Sequence, residues 1–124
     1  MKLHKVISIV DGIAVSATAD MDIDIRCGLS ADLMSDVLRF GQAGMLLLTG
    51  LTNPQAIRTA DMLGIPALLF VRAKLPAQET IALAQELGIS LLATRFTMYE
   101  ASGLLFQAGL AGIGPCGELT QAPR

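Results

Sequence analysis

Serine and aspartate side chains are concentrated in the stretch CGLSADLMSDVLRF, residues 27–40, where Ser30, Asp32, Ser35 and Asp36 lie within seven positions. Such side chains can supply a nucleophile, carboxylate ligands for a metal ion, or a recognition surface. A nucleophilic serine also needs a base and an oxyanion site, and a metal ion needs more than two carboxylates on one exposed helix face. Because the stretch offers neither, a solvated face or a surface for a partner or ligand is favoured over catalysis.

Helical spacing divides this stretch into two faces if residues 31–40 form a helix with Ser30 as its N-cap. The apolar face then consists of Leu33, Met34, Val37 and Leu38, and the polar face of Asp32, Ser35, Asp36 and Arg39. Asp32 lies in the first turn, where the helix dipole favours an anion, and Asp36 can pair with Arg39. We therefore interpret Ser30 and the polar face as a charge-compensated interaction surface.

Other motifs that could carry chemistry are incomplete. GIGPCG, residues 112–117, matches a dinucleotide-binding glycine pattern, but no strand precedes it and no helix follows it. DMDID, residues 20–24, starts like a calcium loop but lacks its glycine and its bidentate glutamate. His4 has no acid or nucleophile beside it in the sequence. We expect no enzymatic activity, no metal site and no cofactor.

Composition limits the class of protein. The chain has 124 residues, 52% of them hydrophobic, which suffices for one domain with a core of its own. Nine basic against 11 acidic residues argue against a nucleic-acid partner. The apolar runs are interrupted within about ten residues, too short to span a bilayer. Cys27 and Cys116 stand far apart without metal-ligand spacing, so we expect reduced thiols in a cytoplasmic protein.

Three consecutive segments repeat one pattern: an apolar run, a polar break, an amphipathic segment and a glycine. They begin at MLLLTG, ALLFVR and LLATRF, and two of them contain a Leu-Gly-Ile triplet. Asn53 before Pro54, and Thr97 three residues before Glu100, are typical of helix starts. Gly64, Gly88 and Gly109 are typical of helix ends. The pattern predicts an α/β fold with a parallel-rich sheet and helical crossovers.

The flanking segments are less regular. Residues 3–10 fit either a short helix or a strand, residues 12–16 a strand, and residues 22–26, with alternating Asp and Ile, a half-buried or edge strand. Residues 111–124 are rich in glycine and proline and lack periodicity. We expect one domain over residues 1–110 and a loose C-terminal tail over residues 111–124.

Ligands of parallel α/β sheets usually bind outside the carboxyl ends of the strands. The residues predicted at that edge are Thr49, Thr52, Asn53, Arg72, Lys74, Thr94, Arg95 and Thr97. Cations, hydroxyls and helix N-termini together suit a small anion such as a phosphate or carboxylate. In the alternative interpretation Asn53 and Thr97 only cap helices, and the basic residues are only solvated.

Nearly the whole chain resembles the DRTGG domain family and the N-terminal domain of HPr kinase/phosphorylase. The resemblance rests on Gly28 followed by SADLMSDV, on the three repeats, and on TMYEASGLL near the end. The motif that gives the family its name is absent, and FVRAKLP stands where a Gly-Gly turn is expected. No kinase activity follows, because the phosphate-binding loop of that kinase belongs to another domain.

The resemblance implies an α/β sandwich, self-association and a regulatory role, since related domains are attached to CBS pairs and phosphotransacetylases. Small stand-alone relatives accompany redox or hydrogenase genes. We therefore expect a non-catalytic regulatory domain that forms a homo-oligomer, such as a homodimer, and binds a small anion. The alternative is an interaction module for a partner enzyme, without a small ligand; the high apolar content also favours self-association.

Overall fold

The structure is a computed structural model that describes residues 1–16 and 19–121. Helices and strands alternate through most of these residues. The helices are α1 (Leu3–Val10), α2 (Met34–Phe40), α3 (Pro54–Leu63), α4 (Gln78–Leu87) and α5 (Met98–Gln107). The strands are β1 (Ile13–Ala14), β2 (Cys27–Ser30), β3 (Met45–Thr49), β4 (Ala67–Phe70) and β5 (Ser90–Ala93). The predicted α/β class with three consecutive βα repeats is confirmed.

The strands form one sheet in the order β1-β5-β4-β3-β2. β2 to β5 are parallel, and the short β1 pairs antiparallel with β5 at one edge. Ser30 pairs with Leu48, and Thr49 with Phe70, so the carboxyl ends of neighbouring strands meet at one edge of the sheet. Every residue of β3, β4 and β5 is buried, as expected of strands covered on both faces.

Helices cover the two faces of the sheet unequally. α2, α3 and α4 pack on one face through residues such as Val37, Ala56 and Ala84, whereas α1 and α5 pack on the other through residues such as Leu3 and Leu105. From β2 to β5 the strand order never reverses, so successive right-handed crossovers place their helices on the same face. The described parallel strands therefore lack the crevice that a reversal of strand order creates in doubly wound sheets.

The predicted helix boundaries of the repeats are confirmed. The Asn53 side chain accepts a hydrogen bond from the Ala56 amide at 3.0 Å, and α3 begins at the next residue, a proline. The Thr97 hydroxyl accepts one from the Glu100 amide at 3.4 Å. Gly64 ends α3 with a φ of 73°, in the left-handed region where glycine has no Cβ to strain.

The N-terminal segment forms a helix, which resolves the two alternatives for residues 3–10. Residues 12–16 contain the short β1. The strand predicted over residues 22–26 is wrong, because this segment makes one isolated bridge, between Lys2 and Asp24. Its alternation has another cause: Ile25 is buried under α1 while Asp22 and Asp24 are exposed. The carbonyl of Ile23 also accepts the Leu3 amide at the start of α1.

An ion pair joins the N-terminal amine to the same segment. The Met1 amine donates to the Asp24 carboxylate at 2.7 Å and to the Ile25 carbonyl at 2.9 Å. The hydrogen bond from the amine, followed by its positive charge, lowers the pKa of Asp24 below its usual value. The contact ties residues 24–25 to the beginning of the chain.

The helix predicted over residues 31–40 begins later than expected. α2 starts at Met34, and Ser30 is the last residue of β2 rather than a helix cap. The predicted apolar face is only partly buried: Val37 is fully buried, but Leu33 is 62% and Leu38 49% exposed. Strand pairing with Leu48 of β3 therefore extends the sheet into residues that the local sequence assigns to a helix start.

Residues 111–121 contain no helix or strand, and residues 122–124 lie outside the described part of the chain. The Ala111 carbonyl accepts the Gly28 amide at 2.9 Å at the open edge of β2, and Ile113 is half-buried against the core. The predicted domain boundary near residue 110 stays a prediction. No helix within residues 1–16 and 19–121 combines the length and apolar character needed to cross a membrane.

Candidate functional site

The residues predicted at the carboxyl edge of the sheet fall into three groups. Thr49 and Arg72 are joined through Asp32. Thr52, Asn53 and Lys74 surround a groove. Thr94, Arg95 and Thr97 have structural partners of their own. The structure thus divides the predicted residues by their contacts.

Asp32 lies at the centre of the first group. One oxygen of its carboxylate accepts the Gly50 amide at 2.7 Å and the Thr49 hydroxyl at 3.1 Å, and the other lies 3.8 Å from the Arg72 guanidinium. Sequence analysis placed Asp32 in the first turn of a helix, which is wrong because α2 begins two residues later. The loop between β2 and α2 instead turns its side chain towards the ends of β3 and β4.

Arg72 and Ala73 form a left-handed turn after β4. Their φ angles are 61° and 57°, a conformation that residues with a Cβ rarely adopt. Their amides donate to the carbonyls of Phe96 and Thr94 at 2.8 and 2.9 Å, which holds the turn against the end of β5. The turn lies within FVRAKLP, the segment in which the resemblance predicts a Gly-Gly turn.

The turn carries the Arg72 side chain back over the end of β3. The Arg72 guanidinium covers Gly50 so closely that a side chain at position 50 would clash with it. Gly50 itself is buried. The absence of a side chain at position 50 thus permits Arg72 and Asp32 to meet above the backbone of the β3–α3 loop.

A groove of about 360 Å³ lies between the starts of α3 and α4. Its lining residues are Gly50, Leu51, Thr52, Asn53, Pro54, Lys74, Ala77, Glu79 and Thr80. The start of α3 is capped by Asn53, whereas the start of α4 has Ala77 at its N-cap and no side-chain hydrogen bond there. The groove therefore combines one ammonium group with backbone amides of a helix that lacks a side-chain cap.

The third group supports the fold rather than the groove. The Thr94 hydroxyl is buried and donates to the Val10 carbonyl at 2.7 Å, linking β5 to the end of α1. Arg95 pairs with Asp11 at 3.3 Å, with both side chains largely exposed. Thr97 caps α5. All three residues follow β5 at the carboxyl edge, and their assignment to a ligand site stays a prediction.

The interaction surface predicted from residues 30–39 is also divided. Ser30 lies on β2 and its hydroxyl is 2.6 Å from that of Ser102 on α5, on the other side of the sheet from α2. Ser35, Asp36 and Arg39 remain exposed on α2. The predicted pairing of Asp36 with Arg39 is not among the ion pairs of the described residues, and the Arg39 guanidinium lies 5.1 Å from the centre of the Phe40 ring.

Sequence analysis missed a second and larger groove, which runs beside α5 and the open edge of β2. Its volume is about 640 Å³, and its lining includes Ser30, Leu48, Tyr99, Ser102, Gly103, Phe106 and Leu110. Tyr99 is 88% and Phe106 71% exposed. A signal was available: Tyr99, Gly103 and Phe106 follow helical spacing, on a different face of α5 from the buried Ala101 and Leu105.

The cysteine and acidic side chains were also compared with the requirements of a disulfide and of a metal site. Cys27 is buried and Cys116 exposed, and both are free thiols. Within residues 1–16 and 19–121, no three His, Cys, Asp or Glu side chains are close enough to hold a metal ion together. The cationic side chains nearest the groove are Lys74, which lines it, and Arg72, which lies 3.8 Å from the Asp32 carboxylate.

No family model matches this chain, and no curated protein matches it in sequence. Its fold matches the crystal structure of the CBS and DRTGG domains of the regulatory region of Clostridium perfringens pyrophosphatase, complexed with the activator diadenosine tetraphosphate. The TM-score is 0.73 at 18% identity over 86% of this chain, which spans 46% of the length of that structure. The chain therefore shares its mixed α/β fold with part of a regulatory region built from CBS and DRTGG domains.

Proposed function

We propose that this chain is a non-catalytic regulatory domain of the DRTGG type that binds a small phosphate- or carboxylate-bearing ligand in the groove between the starts of α3 and α4. The observation that carries the proposal is the position of Lys74 in that groove, beside the helix start that lacks a side-chain cap. Backbone amides at a helix start and an ammonium group both favour an anion. The pyrophosphatase neighbour supports the regulatory class.

The charges in the groove set the expected affinity. Glu79, in the first turn of α4, lines the same groove as Lys74, so the side chains there contribute no net formal charge. Attraction for an anion then depends on direct contact with the Lys74 ammonium group, on the helix starts and on nearby Arg72. A groove of about 360 Å³ is at the small end of ligand sites, so we propose a small metabolite bound with modest affinity.

Thermal unfolding in inorganic phosphate, tripolyphosphate, nucleotides and dicarboxylates tests the ligand. A ligand that binds only the folded state raises the melting temperature, by several degrees at about 100 times its Kd. Lys74→Ala should abolish the shift. Arg95→Ala is the matched control, because it removes the same charge from a side chain already paired with Asp11. The proposed site is contradicted if none of these anions raises the melting temperature of the wild type. It is also contradicted if Lys74→Ala and Arg95→Ala reduce that rise equally.

Self-association is the second candidate, favoured by the apolar groove beside α5. Tyr99 and Phe106 project from it with most of their surface exposed, although aromatic side chains are typical of buried interfaces. We propose that two copies of the chain, or this chain and a partner enzyme, cover this surface. The main support for this proposal is the exposure of the two aromatic rings.

Sedimentation velocity at micromolar protein concentration tests self-association. Phe106→Ser should shift a dimer towards monomer, because it removes an exposed aromatic ring that would be buried at the interface. Met62→Ser is the matched control: Met62 is 74% exposed on α3, on the opposite face of the sheet. A wild-type protein that is monomeric at this concentration contradicts the homodimer.

A further inference from the structure

We propose that Asp32 is a built-in occupant of an anion subsite and that an anionic ligand displaces it. The subsite, called here the Gly50 subsite, consists of the Gly50 amide, the Thr49 hydroxyl and the Arg72 guanidinium. This inference rests on the proposed function and adds a second point of contact for the same ligand, together with a route by which binding reaches α2.

The donors of the Gly50 subsite already hold a carboxylate. Asp32 receives the Gly50 amide at 2.7 Å and the Thr49 hydroxyl at 3.1 Å. Ligand carboxylate and phosphate oxygens accept hydrogen bonds in the same way, so the donors suit either group. Thr49 is fully buried, which fixes its hydroxyl at the end of β3. The geometry is thus that of an anion site whose occupant comes from the chain itself.

The Asp32 side chain reaches solvent although its carboxylate accepts two hydrogen bonds. Its side chain is 45% exposed, and its carboxylate is 3.8 Å from Arg72, longer than a hydrogen-bonded ion pair. The residue belongs to the short loop between β2 and α2 and not to either element. A carboxylate in this position can return to water without unfolding a helix or a strand.

The Gly50 subsite adjoins the groove through Gly50, which lines the groove. Gly50 belongs to both, and Lys74 follows Arg72 in the same loop. A ligand held by Lys74 therefore brings its anionic group next to Asp32, which must be displaced or must repel it. Because Asp32 precedes α2 by only two residues, its displacement moves the loop that leads into α2. Ligand occupancy is in this way coupled to the surface of Ser35, Asp36 and Arg39.

Isothermal titration with inorganic phosphate and tripolyphosphate tests the displacement. Asp32→Asn keeps the shape and the acceptor oxygen but removes the competing charge, and should tighten binding about tenfold, as removal of one nearby like charge predicts. Asp32→Ala should tighten it at least as much. Asp36→Asn removes the same charge from the exposed face of α2 and should bind as the wild type does.

The outcomes separate the two proposals. Tighter binding of phosphate or tripolyphosphate by Asp32→Asn than by the wild type supports displacement. Equal binding by the wild type and Asp32→Asn overturns displacement but leaves the proposed function standing. If neither binds either anion, both the Gly50 subsite and the anionic ligand are refuted.

The Gly50 amide provides a direct readout in the folded protein. In nuclear magnetic resonance spectra, the Gly50 amide proton should resonate further upfield in Asp32→Ala than in the wild type, because its hydrogen bond to the carboxylate is lost. Addition of phosphate should shift this resonance back downfield. Phosphate should also restore part of the stability lost by Asp32→Ala, since it satisfies the buried Thr49 hydroxyl again. A Gly50 resonance that does not respond to phosphate in Asp32→Ala overturns the inference.

Discussion

Replacement of Ala73 by glycine tests the left-handed turn after β4. A φ of 57° costs a residue with a Cβ about 1–2 kcal/mol relative to glycine. The greater freedom of glycine in the unfolded chain offsets about 0.5–1 kcal/mol of that gain. Ala73 is exposed, so loss of its methyl group removes no packing. We expect the free energy of unfolding to rise by about 0.5–1 kcal/mol.

Urea denaturation measures this change, with an unchanged denaturant slope showing that the unfolded state is the same. For a chain of 124 residues the melting temperature should rise by about 2–5 °C. Ala82→Gly is the control of opposite sign: Ala82 is exposed within α4, where glycine destabilises by about 0.5–1 kcal/mol. If Ala73→Gly destabilises the protein as Ala82→Gly does, residue 73 is not in a left-handed conformation.

Two further predictions concern pH and helix capping. Because the pKa of Asp24 is lowered in the folded protein, its ion pair stabilises the fold fully above the unfolded pKa of about 3.9 and progressively less as the pH falls below it. The difference in melting temperature between wild type and Asp24→Asn should therefore shrink from about pH 5 to about pH 3; a difference that grows on acidification contradicts this. Asn53→Ala should reduce the free energy of unfolding by about 1 kcal/mol, because the Ala56 amide loses its acceptor. Circular dichroism during urea unfolding measures this loss, and Gln55→Ala, at an exposed position in α3, should change little.

The repeated part of the fold could be predicted from the sequence because its signals are local. Asn53 with Pro54, Thr97 with Glu100, and Gly64 after α3 each mark a helix end within a few residues. The apolar runs between them are strands that are buried on both faces. Such strands are apolar throughout and show no alternation of apolar and polar residues. Three consecutive units of this kind specify a parallel sheet.

The beginning of the sheet could not be predicted in the same way. β2 exists because Gly28 to Ser30 pair with Leu46 to Leu48, a contact across the crossover that the local sequence does not display. Ser30 followed by Asp32 looks like a helix start, but the Ser30 hydroxyl meets Ser102, distant in sequence. Local capping residues therefore do not predict where a helix begins when strand pairing determines the backbone conformation at those residues.

The candidate site was predicted in composition but not in arrangement. Lys74 and Thr52 do share a groove, as expected of residues at the carboxyl ends of neighbouring strands. Arg95 follows β5 and pairs with Asp11 at the end of α1, outside that groove. Asp32 joined the site from a segment assigned to another surface, since its contacts with Thr49 and Arg72 depend on the packing of three loops.

The exposed ring of Tyr99 provides an intrinsic fluorescence probe of the groove beside α5. The chain contains one tyrosine and no tryptophan, so its intrinsic ultraviolet emission comes from the α5 groove alone. Whatever covers that groove, whether a second copy or a partner without tryptophan, changes the quenching and hydrogen bonding of this one phenol and hence its emission intensity. Association at this surface can therefore be followed in the unlabelled wild-type protein, while a ligand at the distant Lys74 groove leaves the signal undisturbed.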